Sequence, residues 1–436
     1  MKTQPEVPTP DQNKSSRRRF VGTLSAASAT VMVHSSVAKA EEQVELRLAV
    51  IGAGGRGTGA INDSLTANAG VKLVAAADLY RNKCMNLRSA MTRRHPDKVD
   101  LPDARIYEGL DGYKHILDDP DIDVVLLTTS PGFRPYHLLE AAQAGKHVFA
   151  EKPTCVDPAG YRICLQADAL ARKNGTAIVT GTQYRRQTNY VGAIEQIRAG
   201  AIGDIVGAMT RYCSNGIWYR GRQEGMSDAE YQLYNWMHFI WLSGDQICEQ
   251  AVHNIDVMNW VMDGPPETAY GSGGRFTRPE DSEMWDNMAI DYEYPGGRLV
   301  SFMCRQIPNT QSDNGNVIYG TAGTCYIAAG NGGSRITDRS GKEIWRMEGS
   351  IGEAYQQEHK DLIDSIRNGQ PIVELKQTAD SSLTAVMGRL AAYTGQRVTW
   401  EFVTEKSQLD LFPKNLSWDA DMPEPRFAIP GETKLI

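Results

Sequence analysis

The stretch that decides the fold is residues 46–57, which read LRLAVIGAGGRG. A short apolar run leads directly into a glycine-rich turn, and the segment TGAINDSLTAN that follows can form a helix. A strand, the pattern G-x-G-x-x-G and a helix in this order bind dinucleotides, because the glycines allow a tight turn and the amides at the helix start face the pyrophosphate. We therefore predict a dinucleotide cofactor held by Gly52, Gly54, Gly55, Arg56 and Gly57.

The next apolar segment, VKLVAAAD at residues 71–78, indicates which dinucleotide binds. It ends at Asp78, 26 residues after Gly52, where a carboxylate accepts hydrogen bonds from the adenosine ribose. This favours NAD as the cofactor over NADP. Two alternatives stay open: Asp78 serves only as a turn residue, or Arg81 nearby accommodates the 2′-phosphate of NADP.

Strand-like and helix-like segments alternate up to about residue 180. VVLLTTS and KHVFAEKP read as buried strands, and YHLLEAAQAG between them reads as an amphipathic helix. This alternation predicts a doubly wound parallel sheet, in which ligands bind beyond the carboxyl ends of the strands. Thr129, Ser130, Glu151 and Lys152 are therefore expected beside the cofactor.

Four features resemble one known family: the GAGGRG turn, the strand-end Asp78, TTSPGFRPYH at residues 128–137 and above all AGKHVFAEKP at 144–153. Over roughly residues 46–400 the chain is similar to the glucose-fructose oxidoreductase, inositol dehydrogenase and rhizopine-catabolism (Gfo/Idh/MocA) family. The resemblance implies an α/β fold: an N-terminal Rossmann domain, then an α+β domain with an open, largely antiparallel sheet that often supports homo-oligomers. It also implies that His137 and Gln183 contact the cofactor and that Lys152 lies between nicotinamide and substrate.

A lysine suits the position of Lys152 chemically. Its ammonium can polarise a hydroxyl or carbonyl oxygen, and a buried lysine can also exchange protons near neutral pH. From the residues alone, the alternative is a strand-end lysine that pairs with Glu151 on the surface.

The segment GDQICEQAVHNIDVMNWVMDG at residues 244–264 carries the other catalytic candidates. Glu249, His253 and Asp256 are spaced i, i+4 and i+7, so a continuous helix places them on one face. By resemblance, His253 donates or accepts the substrate proton, and Glu249 stands where the family more often has aspartate. A charged solvent face, a core histidine and a metal site are the alternatives; no metal is expected, because nothing else completes a ligand set.

Candidates for substrate binding follow the strand after Lys152 and lie in an aromatic segment. By resemblance, Tyr184 and Arg185, with Arg186 beside it, face cofactor and substrate. Residues 215–244 interleave aromatic side chains with Arg, Asn and Gln, a composition that suits the CH faces and hydroxyl edges of sugars. The candidates there are Trp218, Trp236, Trp241 and Asn235, and aromatic packing together with an oligomer contact is the alternative.

The first 40 residues have the build of an export signal. A polar start is followed by SRRRFV at residues 16–21, a mildly apolar stretch and small residues at 38–40. The adjacent arginines resemble the twin-arginine signal of proteins exported already folded, which predicts a periplasmic protein. The other expected boundaries are a Rossmann domain over 41–180, a substrate and oligomerisation domain over 181–405 and an extended arm over 406–436, which can lie on a neighbouring subunit.

Composition narrows the partners. Residues 1–40 carry six basic and two acidic side chains, so their removal lowers the formal charge from −7 to −11. An acidic protein argues against nucleic acid as a partner, and no other segment is apolar enough to span a membrane. The seven cysteines show no metal-ligand spacing and are expected to be mostly core residues.

Export and a dinucleotide site together suggest how the cofactor is used. A free dinucleotide does not await the protein outside the cytoplasm, so the leading hypothesis is an oxidoreductase acting on a sugar or glycoside with tightly bound, internally recycled NAD. One alternative is an NAD-dependent glycosidase that oxidises, eliminates, hydrates and reduces the same sugar. Another is a non-catalytic sugar-binding protein with a vestigial Rossmann fold.

Overall fold

A computed structural model describes residues 44–436, so the predicted signal at 1–40 lies outside the described residues. No helix in the described part is long and apolar enough to cross a membrane. All seven cysteines are buried and unpaired there, as expected for core residues.

The first part of the described chain is a six-stranded parallel sheet in the order β3-β2-β1-β4-β5-β6. The strands are β1 (Leu46–Ile51), β2 (Val71–Asp78), β3 (Ile106–Glu108), β4 (Val124–Leu127), β5 (His147–Ala150) and β6 (Ile178–Thr180). The connecting helices are α1 (Gly55–Ala67), α2 (Arg81–Arg94), α3 (Gly112–Asp118), α4 (Arg134–Gln143) and α5 (Pro158–Asn174). The predicted doubly wound Rossmann sheet is confirmed.

Continuous apolar runs form these strands because both faces of the sheet are covered. In β1, Leu48 and Val50 enter one buried cluster, whereas Ala49 and Ile51 enter the other. Neighbouring residues also fix both ends of α5. At its start, the Asp157 carboxylate accepts a hydrogen bond from the Gly160 amide, and at its end Gly175 adopts φ +69°.

The second part contains, within the described residues, a nine-stranded mixed sheet in the order β14-β13-β12-β11-β7-β10-β9-β8-β15. Its strands are β7 (Ile205–Ser214), β8 (Thr268–Gly274), β9 (Asn287–Tyr294), β10 (Arg298–Gln306), β11 (Asp313–Gly320), β12 (Gly323–Ala328), β13 (Ser334–Asp338), β14 (Glu343–Met347) and β15 (Val398–Thr399). All neighbours pair antiparallel except β7 and β10. The expected open, largely antiparallel sheet is confirmed.

Four helices pack on one face of this sheet: α6 (Thr188–Arg198), α9 (Asp245–Glu249), α10 (Val252–Val261) and α12 (Leu375–Thr394). The other helices of this part are α7 (Asp228–Tyr234), α8 (Ile240–Ser243) and α11 (Ile351–Arg367). The buried face is tied to α12, since the Tyr292 hydroxyl donates to the Thr384 carbonyl at 3.1 Å. Alternate side chains face the other way, and Val206, Leu299 and Tyr319 are exposed there.

Two later segments return to the first sheet. In α11, the Arg367 guanidinium donates to the Gly70 carbonyl at 3.0 Å. The tail beyond 406 lies along its own chain: the Leu411 amide donates to the Asp157 carboxylate at 2.7 Å, and the ring of Phe412 packs on Phe133 and Tyr136. A contact between this tail and a neighbouring subunit stays a prediction.

The packing of α1 against the turn before it gives a test of the fold. A Cβ on Gly57 would lie 2.0 Å from the Gly52 carbonyl oxygen, whereas a Cβ on Gly59 in the same helix would meet only the tip of Arg56 at 3.3 Å. We expect Gly57→Ala to lower the free energy of unfolding by about 1–3 kcal/mol through overpacking. Gly59→Ala, the matched control, should be neutral or stabilise by about 0.5–1 kcal/mol. Equal denaturation midpoints for the two variants in urea would contradict this account.

Candidate active site

A cavity of about 610 Å³ lies beyond the carboxyl ends of the Rossmann strands, with walls from both sheets. Fifteen of the residues predicted from sequence line it: Gly52, Gly54, Gly55, Arg56, Asp78, Thr129, Ser130, His137, Glu151, Lys152, Gln183, Tyr184, Trp236, Glu249 and His253. The structure therefore brings these residues together, and their individual roles stay predictions. Among residues 44–436, no group of three or more His, Cys, Asp or Glu is arranged to hold a metal ion.

The glycine turn forms an open cradle at one end of the cavity. Gly52 has φ +98°, and a Cβ there would lie 2.7 Å from the backbone of Thr128. A Cβ on Gly54 or Gly55 would meet no atom within 4 Å, so the backbone at the start of α1 is open to a ligand. These features fit a dinucleotide pyrophosphate, which needs close backbone approach and free helix N-terminal amides.

Asp78 holds this turn in place while facing the cavity. Its carboxylate accepts hydrogen bonds from the Ala53 amide at 2.7 Å and the Tyr80 amide at 3.1 Å. The guanidinium of Arg81 points instead to the carbonyls of Ile106 and Asp103, and Arg81 does not line the cavity. The turn role and the ribose role of Asp78 are therefore compatible.

An ion pair between the half-buried Arg56 and the buried Glu151 joins the turn to the end of β5. The Glu151 carboxylate accepts a hydrogen bond from Arg56 Nε, and it also accepts from the Lys152 amide at 3.1 Å. Burial by itself raises the pKa of Glu151, but the Arg56 and Lys152 cations outweigh burial and hold this pKa below its ordinary value. The Glu151 carboxylate therefore pairs with the Arg56 guanidinium and not with the Lys152 ammonium. The predicted alternative of a surface pair between Lys152 and Glu151 is wrong.

Lys152 reaches across the cavity to the second domain. Its Nζ donates to the Glu249 carbonyl at 2.5 Å and lies 3.2 Å from Glu249 Oε1. Both side chains are largely buried. The Glu249 carboxylate therefore contacts the Lys152 ammonium directly.

His253 lies on the same side of the cavity, with its ring 5.4 Å from the ring of Tyr184. Burial, reinforced by the Lys152 and Arg56 cations, lowers the pKa of His253 well below its ordinary value. The imidazole is therefore neutral near pH 7 and can accept a proton. At the opposite wall, burial lowers the pKa of His137 to about 3, so this second histidine is also neutral.

Comparison with known proteins identifies the family. A profile described as an oxidoreductase family with an NAD-binding Rossmann fold matches residues 46–182, and the GFO/IDH/MocA C-terminal domain matches residues 190–326. The chain belongs to the Gfo/Idh/MocA family. This family member is an oxidoreductase, and its cofactor is NAD, which the glycine cradle described above fits.

Similar proteins include enzymes of polyol and sugar chemistry. The scyllo-inositol 2-dehydrogenase (NAD(+)) of Bacillus subtilis is 24% identical over 339 residues, covering 76% of this chain and 89% of that enzyme. The inositol 2-dehydrogenase of Rubrobacter xylanophilus is 24% identical and covers 65% of this chain and 71% of that enzyme. Solved structures share the fold: levoglucosan dehydrogenase in complex with NADH and levoglucosan, at 18% identity and a TM-score of 0.64, covers 81% of this chain and 99% of that one. Aldose-aldose oxidoreductase from Caulobacter crescentus, complexed with glycerol, covers the same shares at 20% identity and a TM-score of 0.63.

Three residues of this Gfo/Idh/MocA chain that were predicted to contact cofactor or substrate lie outside the cavity lining: Gly57, Arg185 and Arg186. Gly57 packs against Gly52 rather than facing the cavity. Arg185, predicted to bind substrate, instead forms a two-pronged ion pair with buried Asp256 at 2.8 and 2.9 Å. The predicted single helical face is also wrong, because the helix breaks between α9 and α10 and Asp256 leaves the side of Glu249 and His253. Arg186 pairs with Glu374, so neither arginine lines the cavity.

The aromatic segment divides between the cavity and the core. Trp236 lines the cavity, and Trp218 packs edge-on against it, half-exposed. Trp241 is buried with its indole donating to Gln232, and the buried Asn235 accepts from the Arg220 amide. The packing alternative therefore applies to Trp241 and Asn235.

Sequence reasoning missed several cavity residues: Lys83, Tyr212, Gln250, Asn314 and Tyr355. They come from α2, β7, the break between α9 and α10, β11 and α11, and none belongs to a motif. A signal existed only for Gln250, which follows Glu249 directly. The others reach the cavity through tertiary packing.

Asp78 provides a test of cofactor choice. We expect Asp78→Ala to weaken NAD binding by roughly tenfold or more and to narrow the preference for NAD over NADP, because both the turn and the ribose lose their acceptor. Asp78→Asn separates these effects: it can keep an acceptor for the Ala53 amide while removing the charge that disfavours a 2′-phosphate. Dissociation constants for both dinucleotides, measured by calorimetry on cofactor-stripped enzyme, provide the check. An unchanged preference in both variants would mean that another residue reads the ribose.

Proposed function

We propose that this enzyme oxidises a secondary hydroxyl of a sugar, glycoside or cyclic polyol, with NAD as the hydride acceptor. The main observation in support is that the glycine cradle, Lys152, Glu249 and a neutral His253 line the same cavity. Bound NAD would supply the acceptor for the hydride that leaves the carbon bearing the hydroxyl. His253 accepts the hydroxyl proton, and Lys152 stabilises the charge that develops on the oxygen. The alcohol becomes a carbonyl, and one proton passes to His253.

The shape and chemistry of the cavity support a ring-shaped polyol as substrate. Trp236 and Tyr184 offer aromatic faces, while Asn314 offers an amide group that pairs with hydroxyls. The similar enzymes named for inositol and levoglucosan support the same class. We take the position of Lys152 between the cradle and Glu249 to mark where the reacting hydroxyl lies.

We further propose that NAD is retained and recycled within the site of an exported enzyme. The twin-arginine pattern at residues 16–21 supports export in the folded state. The packing of the tail supports retention of NAD. Phe412 contacts Phe133, which lines the cavity, and Trp418 contacts Tyr80, two residues after Asp78. Retained NAD is restored either when a second sugar is reduced or when the same sugar is reduced after cleavage.

The second of these routes is a glycosidase reaction and stands as the alternative function. Oxidation places a carbonyl next to a C–H bond, elimination expels the aglycone, and addition of water and reduction restore the sugar and the cofactor. The route requires a base for the C–H proton, and the neutral His253 is the candidate group within the cavity. Release of an aglycone without net change in NADH distinguishes it from net oxidation.

Catalytic roles are tested by removing each proposed group. Lys152→Ala and His253→Ala should each lower kcat/KM by roughly 100-fold or more, since polarisation or proton transfer is lost, while NAD binding is kept. The assay follows NADH absorbance with inositols and sugars as substrates, and Lys360→Ala, an exposed lysine paired with Asp364, is the control.

The pH profile adds a second check on His253. Because its pKa is lowered, His253 becomes protonated only below the ordinary value near pH 6.5, so the acid limb of kcat/KM should lie below that pH and disappear in His253→Ala. Full activity of either alanine variant, or an acid limb above pH 6.5, would contradict the assignment.

Retention is tested on protein recovered from the periplasm without added cofactor. Denaturation and mass spectrometry should find near-stoichiometric NAD(H), because the pocket is loaded before export. An empty pocket, or a precursor that remains in the cytoplasm, would contradict the export and retention proposal while leaving the oxidoreductase activity intact.

Tail variants link retention to structure. Phe412→Ala should raise the NAD dissociation rate by roughly tenfold, since it removes packing behind Phe133. Phe427→Ala is the matched control, because this exposed tail residue lies over Arg275, outside the cavity lining. Equal NAD dissociation rates in the two variants would contradict a role of the tail in retaining NAD.

A further inference from the structure

Four cavity side chains form one chain of hydrogen bonds that ends at Lys152. The Tyr212 hydroxyl donates to Gln250 Oε1 at 2.8 Å, and Gln250 Nε2 donates to Glu249 Oε2. The other oxygen of that carboxylate, Glu249 Oε1, accepts from Lys152 Nζ at 3.2 Å. All four residues line the cavity.

The helix break makes this chain possible. On a continuous helix, consecutive side chains diverge by about 100° and do not meet. Glu249 ends α9, Gln250 lies in the break and α10 begins at Val252, so the neighbouring side chains of Glu249 and Gln250 can contact each other. The same feature that disrupts the expected helical face therefore creates the contact.

The polarity of the chain follows from the chemistry of its groups. A side-chain amide has one donor end and one acceptor end, and only the donor end suits a carboxylate. Tyr212 donates to the oxygen of Gln250 and thereby turns the amide nitrogen toward Glu249. Burial raises the pKa of Tyr212, so its hydroxyl stays protonated and remains a donor at neutral pH.

We propose that Gln250 and Tyr212 are positioning residues for the reaction. Gln250 fixes the long Glu249 side chain with one oxygen directed at Lys152, and Tyr212 fixes the orientation of the Gln250 amide. The ammonium of Lys152 is thereby held where the reacting hydroxyl is expected, a step that rests on the proposed function. Aspartate in place of Glu249 would have fewer rotamers to restrain, so this glutamate needs the restraint more.

Kinetics with matched variants test the proposal. Gln250→Leu, which removes the donor, should lower kcat by roughly 10- to 100-fold, and Tyr212→Phe, which removes one oxygen, by roughly 3- to 10-fold. Gln250→Glu should be at least as harmful as Gln250→Leu, because it places two carboxylates together. NAD affinity should stay unchanged in all three. Gln357→Leu is the control, since the Gln357 amide also donates to a carboxylate, that of Asp361, but on the surface.

A double-mutant cycle separates positioning from general structure. In enzyme that already carries Glu249→Ala, adding Gln250→Leu should lower kcat by less than about twofold, because no carboxylate remains to be held. An undiminished effect in that background would overturn the proposal.

A readout without substrate distinguishes failure of this inference from failure of the proposed function. Acetylation of Lys152 by acetic anhydride, measured by mass spectrometry against the exposed Lys173, should be several-fold faster in Gln250→Leu and Tyr212→Phe than in wild type or Gln357→Leu, because Lys152 then loses its carboxylate partner. If wild type oxidises no sugar or polyol yet this difference is present, the proposed substrate class fails and the positioning chain stands. If labelling is the same in all variants, the positioning chain is overturned whatever the activity. Tyr212→Phe keeps the test valid if Gln250→Leu does not fold.

Discussion

The ion pair between the half-buried Arg56 and the buried Glu151 is the interaction on which the site depends. It ties the glycine turn at the start of α1 to the end of β5, so the cofactor cradle and Lys152 share one fixed frame. A buried carboxylate without a cation would be strongly destabilising, and Arg56 supplies that cation while its ring neighbour Tyr355 covers it. The position of Lys152 is set by this pair through the backbone.

The pairing of Glu151 with Arg56 affects the contacts of Lys152 across the cavity. Because the Glu151 carboxylate pairs with Arg56, the Lys152 ammonium donates instead to the carbonyl and carboxylate of Glu249 in the second domain. The two domains are thus connected at the point where chemistry is proposed to occur. A cation held by one carboxylate, beside a neutral histidine, is the charge pattern that stabilises an oxygen as it loses its proton.

The Rossmann half of the molecule was predictable because its signals are short-range. Each signal, whether a buried strand, the glycine turn or the strand-end Asp78, is contained in a few consecutive residues, so pattern and structure agree. The predictions that were wrong concern residues whose partners are distant in sequence. Arg185 points away from the cavity because it pairs with Asp256, 71 positions later. The break after Glu249 has no glycine or proline to announce it, and Tyr212 and Asn314 enter the cavity from strands without a motif.

The proposed export of a dinucleotide enzyme places a requirement on how firmly the cavity holds its cofactor. A hydride that is given and taken back in one cavity needs no external pool of NAD, but it does require slow loss of the cofactor. In the retention proposal, the tail helps to hold the cofactor because its aromatic rings pack against Phe133 in the cavity wall and against Tyr80, two residues after Asp78. Retention would then be a property of one folded chain, acquired before the membrane is crossed in the proposed export.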